Sequence, residues 1–120
     1  MFDGAEILII EDEMLIALDL ERIVEAAGGK PTSIRTFREA LLLRNRWPKF
    51  ALCIANPPSQ ARDEGEIAQA LVATGPALVI NSADGQYQPA MHGLGAAPML
   101  VKPFTEDEVL AACRAALARP

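Results

Sequence analysis

The sequence predicts an α/β fold in which one parallel sheet of five strands is covered by helices on both faces. Five short apolar runs alternate with amphipathic stretches along the chain, and this alternation is typical of parallel sheets with right-handed crossovers. The connecting segments are only a few residues long, as in compact α/β units. The chain has 120 residues, which is enough for one core and too few for two. We therefore expect a single domain spanning residues 1–120.

Each strand is predicted from an apolar run that stops at turn-forming residues. The third run begins at Phe50, is apolar on both faces and stops at Asn56, which suits the middle of a parallel sheet. The second run is more polar and lies close to Pro31, so it belongs at a sheet edge. The predicted strands span residues 6–10, 32–36, 50–55, 77–80 and 99–101. A single sheet of this kind is the flavodoxin-like doubly wound fold, with strand order 2-1-3-4-5.

The stretches between the strands predict four helices, at residues 14–27, 37–46, 65–73 and 105–118. Gly28 ends the first helix, and the pair Trp47-Pro48 ends the second. Thr105 and Glu108 carry the signature of a capping box at the start of the last helix. Residues 86–97 contain three Gly or Pro residues, so any helix there is short.

Apolar residues at spacings of three, four and seven predict which face of each helix is buried. The first helix has the widest predicted apolar face. The residues expected to point inward are Leu15, Ile16, Leu18, Leu20, Ile23, Val24, Ala26 and Ala27 in the first helix, Phe37, Ala40, Leu41 and Leu43 in the second, Ile67, Leu71 and Val72 in the third, and Val109, Leu110, Cys113 and Leu117 in the last.

Composition and charge exclude several classes of function. The net charge is −5 and no Lys/Arg cluster interrupts it, which argues against direct nucleic-acid binding. Cys53 and Cys113 are too few for a disulfide framework and are expected as reduced core thiols in the cytosol. No apolar run approaches the roughly 20 residues that a membrane span needs, and the N-terminus lacks the basic start of a signal peptide. We expect a cytoplasmic protein that does not bind membranes.

Polar residues follow the ends of the predicted strands, where open α/β sheets build their sites. Glu11 and Asp12 follow the first strand, Asn56 the third, Ser82 the fourth and Lys102 the fifth. Two adjacent carboxylates favour a divalent cation between them, or else they serve the helix dipole. The ammonium of Lys102 could pair with Glu11 or Asp12 or with a bound anion, or else lie at the surface.

A hydrolase triad of Ser82, His92 and Asp84 is conceivable by residue type alone. However, the chain has no Gly-x-Ser-x-Gly nucleophile elbow, and its single histidine lies in a Gly-rich segment. The sequence offers no matched nucleophile and base, so a small hydrolase or transferase on this fold is disfavoured and we do not expect an enzyme.

Three motifs together resemble the receiver domain of response regulators in two-component signalling, of the CheY-like superfamily, over essentially the whole chain. They are Ile-Leu-Ile-Ile-Glu-Asp-Glu ending at Glu13, Ile-Asn-Ser-Ala around Ser82, and Val-Lys-Pro-Phe around Lys102. The resemblance implies that Ser82 is the switch residue and Lys102 the phosphate contact. It also implies a Mg²⁺ site formed by Glu11, Asp12 and a main-chain carbonyl near Asn56.

The sequence departs from that family at the phosphoacceptor. An ungapped alignment places Ile54 where receivers carry the phosphorylated Asp, with Pro58 matching a usual proline, whereas a shifted register would place Asn56 there. Neither residue supplies the carboxylate nucleophile, so Mg²⁺ should also bind weakly or leave the site unoccupied. Met99 stands at the position of the aromatic switch residue, which removes ring rotation as a response.

We therefore expect an atypical receiver that is independent of phosphorylation and acts as a protein-interaction module. Lys102 would pair with Glu11 or Asp12 and hold one conformation. The expected partners are other signalling proteins (a histidine kinase, a phosphotransfer protein or an output protein). A homodimer is a further possibility, through the fourth helix (any short helix within residues 86–97), the fifth strand and the fifth helix (residues 105–118). The alternative is regulation through another acceptor, such as Ser82, Ser59 or Asp63, or through a small ligand in the crevice.

The chain stops after the last helix, so we expect no output domain within it.

Overall fold

The computed structural model describes residues 1–59 and 62–119. The strands form one parallel sheet in the order β2-β1-β3-β4-β5, which confirms the predicted topology. The strands are β1 (Glu6–Ile10), β2 (Lys30–Ile34), β3 (Phe50–Ala55), β4 (Ala77–Ser82) and β5 (Met99–Val101), and the α-helices are α1 (Met14–Ala26), α2 (Arg62–Ala73) and α3 (Glu106–Leu117). Two further segments, Glu39–Lys49 and Pro89–His92, form 3₁₀ turns.

The sheet separates two layers of core because side chains alternate between the faces of each strand. On one face, strand residues pack with α1 and α3, and on the other face they pack with α2 and the 3₁₀ segment Glu39–Lys49. The first layer includes Ile7, Ile9, Leu52, Ile54 and Val79, and the second includes Leu8, Ile10, Cys53, Ala55 and Ile80. β3 lies at the centre, as its two apolar faces predict.

The predicted buried face of α1 was partly wrong. Leu15 is 81% exposed and Leu18 is 52% exposed, and Ala26 is exposed as well. The stripe that meets the sheet is instead Ala17, Leu20, Ile23 and Val24. Because the first turns of α1 are apolar on nearly every side, periodicity alone could not select the side that faces the core.

The predicted α-helix at residues 37–46 is also wrong, since 3₁₀ turns extend through Pro48 to Lys49 with a kink at Leu43. The indole Nε1 of Trp47 donates to the carbonyl oxygen of Ala40 at 2.9 Å. In a continuous α-helix that oxygen would accept from the backbone four residues on. Phe37 and Ala40 are buried as predicted, whereas Leu41 is exposed.

The remaining elements differ from prediction mainly at their ends. β2 begins at Lys30 and ends at Ile34, and it contains Pro31, which an edge strand tolerates. β4 continues two residues further, to Ser82. The capping box of Thr105 is confirmed, but Leu117 at the end of α3 is exposed rather than inward. Within residues 86–97 the only helical turn is Pro89–His92, as the Gly and Pro residues there predict.

Candidate functional site at the carboxyl edge of the sheet

Glu11 is the centre of the site, directly after β1. Its side chain is fully buried, and its two carboxylate oxygens together accept four hydrogen bonds. Asn81 Nδ2 donates to Oε1 at 2.8 Å, and the Glu13 backbone N–H donates to Oε2 at 2.9 Å. Asn56 Nδ2 donates to Oε2 at 3.2 Å, and Lys102 Nζ lies 3.2 Å from Oε1. Since a carboxylate offers about four lone-pair sites, Glu11 is saturated with donors.

Lys102 joins the end of β5 to the loop after β1. Its Nζ lies 3.2 Å from Glu11 Oε1 and 3.1 Å from Glu13 Oε2, and its side chain is only 16% exposed. Burial alone would lower the pKa of Lys102, but the hydrogen bonds to Glu13 and Glu11 outweigh it and raise the pKa above the usual 10.5. The predicted pairing with Glu11 is present, and the second partner is Glu13 rather than Asp12.

Asn56 is the residue that β3 contributes to the site. Its Nδ2 donates to Asp12 Oδ1 at 2.9 Å as well as to Glu11, and its backbone N–H donates to the Ile10 carbonyl oxygen. Ile54, two residues earlier, has no exposed surface and packs in the core beside its strand partners Ile9 and Val79. The structure therefore brings Asn56, and not Ile54, together with the acidic pair.

Ser82 and Met99 flank the site without touching Glu11. The Ser82 hydroxyl is buried and accepts from the Asp84 backbone N–H at 3.0 Å, while its carbonyl oxygen accepts from the Lys102 backbone N–H. Met99 pairs with Ile80 across β4 and β5 and packs against the core layer beneath.

Sequence reasoning missed two contributors, Asn81 and Glu13. Asn81 was placed just after the predicted fourth strand, which ended at residue 80, yet it is the penultimate residue of β4 and is 1% exposed. The signal that could have found it is a polar side chain inside a strand that is otherwise apolar, since buried amides are retained for a hydrogen-bond partner. Glu13 was taken only as part of the acidic run.

The donor set does not fit the Mg²⁺ that the fold would imply. Within the described residues, no group of three or more Asp, Glu, His or Cys side chains is arranged to hold a metal ion. Mg²⁺ needs six oxygen ligands in near-octahedral geometry. Here the Glu11 oxygens are already engaged by N–H donors and by an ammonium group.

Within the described residues, the side chains of Ser82, Asp84 and His92 make no hydrogen bond with one another. His92 stacks on Tyr87 with ring centroids 4.8 Å apart, and Ser82 Oγ accepts a hydrogen bond from the Asp84 backbone N–H. Asp63, one of the alternative acceptors, pairs with Arg38.

No helix in the described part of the chain is long and apolar enough to cross a bilayer.

No protein-family model and no curated protein matches this chain. Solved structures, in contrast, are similar to it over nearly the whole chain. The response regulator receiver protein of Sinorhizobium medicae is 21% identical, covers 98% of this chain and 97% of its own, and superposes with a TM-score of 0.81. The chemotaxis protein CheY4 of Vibrio cholerae is 20% identical over 95% of this chain and 99% of its own, with a TM-score of 0.79. A response regulator receiver domain protein of Clostridium thermocellum is 21% identical over 94% of each chain, with a TM-score of 0.76. The chain therefore has the fold of response-regulator receiver domains.

Proposed function

We propose that this chain is a receiver-like signalling domain that works without phosphorylation, as a protein-interaction module. The observation that carries the proposal is the crevice itself. In it an amide, Asn56, bonds both acids of the pair, and Lys102 already pairs with Glu11 without any phosphate. Phosphoryl transfer to a receiver needs a carboxylate nucleophile beside the acidic pair. An amide oxygen is a poor substitute for it.

We further propose that Asn56, rather than Ile54, occupies the position of the phosphoacceptor. The support is geometric: Asn56 follows β3 and reaches Glu11 and Asp12, whereas Ile54 is enclosed in the core. The proline residues that follow Asn56 suggested the other register in the sequence. They do not alter which side chain meets the acids.

The proposal is tested with acetyl phosphate and Mg²⁺ by intact-mass spectrometry. Wild-type protein should gain no phosphoryl group. The variant Asn56→Asp should gain one, since its new carboxylate can attack phosphorus while acetate leaves. A stoichiometric adduct on the wild type, whether on Ser82, Ser59 or Asp63, would overturn phosphorylation independence.

The matched comparison is Ile54→Asp, which places a charge inside the core. We expect this variant to lose its cooperative unfolding transition, because an unpaired buried carboxylate costs about 3–5 kcal/mol. If Ile54→Asp folds and is phosphorylated while Asn56→Asp is not, the assignment of Asn56 is wrong.

For the interaction surface, we propose the exposed apolar patch on α1, made of Met14, Leu15 and Leu18. Their side chains are 75%, 81% and 52% exposed. Leu15 lines a groove of about 560 Å³ together with Pro103 and Phe104. An apolar patch of this kind, framed by polar residues, marks a surface that binds other molecules.

The acids around this groove indicate what it binds. Glu13 and Asp19 line it, each paired within the chain with Lys102 and Arg22 respectively, and the chain as a whole carries a net charge of −5. A second copy of this chain would bring like charges together, which opposes association. The complementary partner is an amphipathic helix of another protein, with Lys or Arg beside its apolar stripe.

This surface has more support than the predicted one formed by the fourth helix, fifth strand and last helix. Within the described residues, the region of the fourth helix contains only the turn Pro89–His92. Binding through that region, and dimerisation through it, remain predictions from the sequence.

The α1 surface is tested by capture of partners from the native cytosol with Leu15→Asp. Leu42→Asp is the matched control, because Leu42 is 86% exposed on the 3₁₀ segment and away from the groove. Leu15→Asp should remove a captured partner whose binding segment is basic and amphipathic, and Leu42→Asp should retain it. Equal capture by both variants would contradict the proposed surface.

A further inference from the structure

We propose that Lys102 is the permanent cation of the crevice and closes it to divalent metal ions. This inference goes beyond the proposed function, because it concerns ion binding and can fail whether or not the chain is phosphorylated.

The first support is the orientation of two amides. Asn56 and Asn81 both turn their Nδ2 groups toward Glu11, at 3.2 and 2.8 Å. Hydrogen bonds from N–H groups to a carboxylate are charge-assisted and stronger than neutral ones. A divalent cation in the same space would require the opposite orientation, with amide oxygens facing it as ligands.

The second support is that this orientation leaves two buried amide oxygens without a hydrogen-bond partner. The Oδ1 atoms of Asn56 and Asn81 are buried and have no hydrogen-bond partner within the described protein. An unsatisfied buried acceptor is destabilising. The amides therefore hold their N–H groups on Glu11 at a cost, and rotation of either amide would supply an oxygen ligand.

The third support is charge. The Lys102 ammonium lies 3.2 Å from Glu11 and 3.1 Å from Glu13, and its side chain is 16% exposed. A second cation bound at Glu11 would lie within a few ångströms of this ammonium and be repelled by it. Lys102 and the two amides thus favour the same closed state.

The test is Mn²⁺ titration of the full chain, followed by paramagnetic broadening of backbone amide signals. Wild type should show no saturable broadening at Glu11, Asp12 and Asn56. Lys102→Met should show it, with affinity at least about tenfold higher than wild type once the ammonium is gone. Lys49→Met is the matched control, since Lys49 is exposed and should leave the wild-type result unchanged.

Saturable broadening at these residues in wild type would overturn the inference. A folded Lys102→Met variant that binds no Mn²⁺ would overturn it equally. A second measurement needs no variant: the ¹⁵N signal of the Lys102 ammonium in wild type should not respond to Mg²⁺ at millimolar concentration. A saturable shift of that signal on Mg²⁺ addition would show that the metal ion enters the crevice.

Discussion

At the scale of single residues, Lys102 contributes a charge that is screened from water on most sides. Replacing it with Met leaves the buried Glu11 carboxylate without its cation, so we expect a loss of about 2–3 kcal/mol in the free energy of unfolding. The raised pKa of Lys102 determines how this loss depends on pH. A group whose pKa is raised in the folded state contributes its full stabilisation at neutral pH, below the pKa of the unfolded state. That contribution is lost as the pH rises through the folded-state pKa.

The thermal midpoints of wild type and Lys102→Met should therefore differ most near neutral pH and converge above pH 10.5, the usual pKa that Lys102 exceeds. Differential scanning calorimetry of both proteins across this range measures the difference directly. Groups that do not contact Lys102 titrate alike in both proteins, so their contributions cancel. A gap that stays constant through the alkaline range would contradict the ion pair.

The two thiols give a second residue-scale prediction. Burial raises the pKa of Cys113 to about 12, and it raises that of Cys53 further. Because the thiolate is the reactive form, both cysteines should resist a thiol reagent at neutral pH in the native protein and react once it is unfolded. Titration with a chromogenic disulfide, with and without denaturant, checks this. Rapid labelling of either thiol in the native state would contradict the burial.

At the scale of elements, the start of α3 depends on one hydroxyl. Thr105 Oγ1 accepts from the Glu108 N–H at 3.2 Å, and the Glu108 carboxylate accepts from the Thr105 N–H at 2.8 Å. Thr105→Ala should lower the free energy of unfolding by about 1 kcal/mol. Thr105→Ser keeps the acceptor and is the control. Urea unfolding of both variants measures the difference, and an equal loss in the two would show that the cap is not responsible.

The contact between α1 and β2 gives a second prediction at this scale. A Cβ added to Gly29 would lie 2.6 Å from Val24 Cγ1 and 3.1 Å from a ring carbon of Phe2, so Gly29→Ala should destabilise by about 1–3 kcal/mol. Gly65 in α2 has nothing within 4 Å of its added Cβ. Gly65→Ala should therefore stabilise by up to about 1 kcal/mol through helix propensity. Urea unfolding compares the two, and opposite signs are the expected result.

At the scale of the whole molecule, alternation of apolar runs and amphipathic stretches was sufficient to predict the sheet, its strand order and its central strand. The prediction succeeded because these features depend on pattern and loop length. It failed for Leu15 and Leu18, because the first turns of α1 are apolar on nearly every side and do not reveal which side is covered. It also failed for the 3₁₀ segment, within which the Trp47 indole donates to the Ala40 carbonyl oxygen.

The candidate site, like the fold, could be predicted from the sequence only in part. The residues Glu11, Asp12 and Lys102 were identified from their places after strands, and the structure brings them to one edge of the sheet. The ungapped alignment placed Ile54 at the phosphoacceptor position, whereas the structure places Asn56 in contact with Glu11 and Asp12. A shift of two residues keeps a side chain on the same face of a strand. Only the end of β3, where Asn56 leaves the sheet, distinguishes the two positions.

The bond between Asn56 and Pro57 has a consequence for the chemical ageing of this protein. Asparagine commonly turns into aspartate when the backbone nitrogen of the next residue attacks the side-chain carbonyl carbon and ammonia leaves, after which water opens the resulting ring. That attack needs an N–H, which proline lacks. The change that would place a carboxylate beside Glu11 and Asp12 is thus blocked by the neighbouring residue. In long incubation at mild alkaline pH, peptide mapping should find aspartate at the exposed Asn45, followed by Arg46, well before Asn56. A stock of this protein should therefore not gain a phosphorylatable fraction during storage.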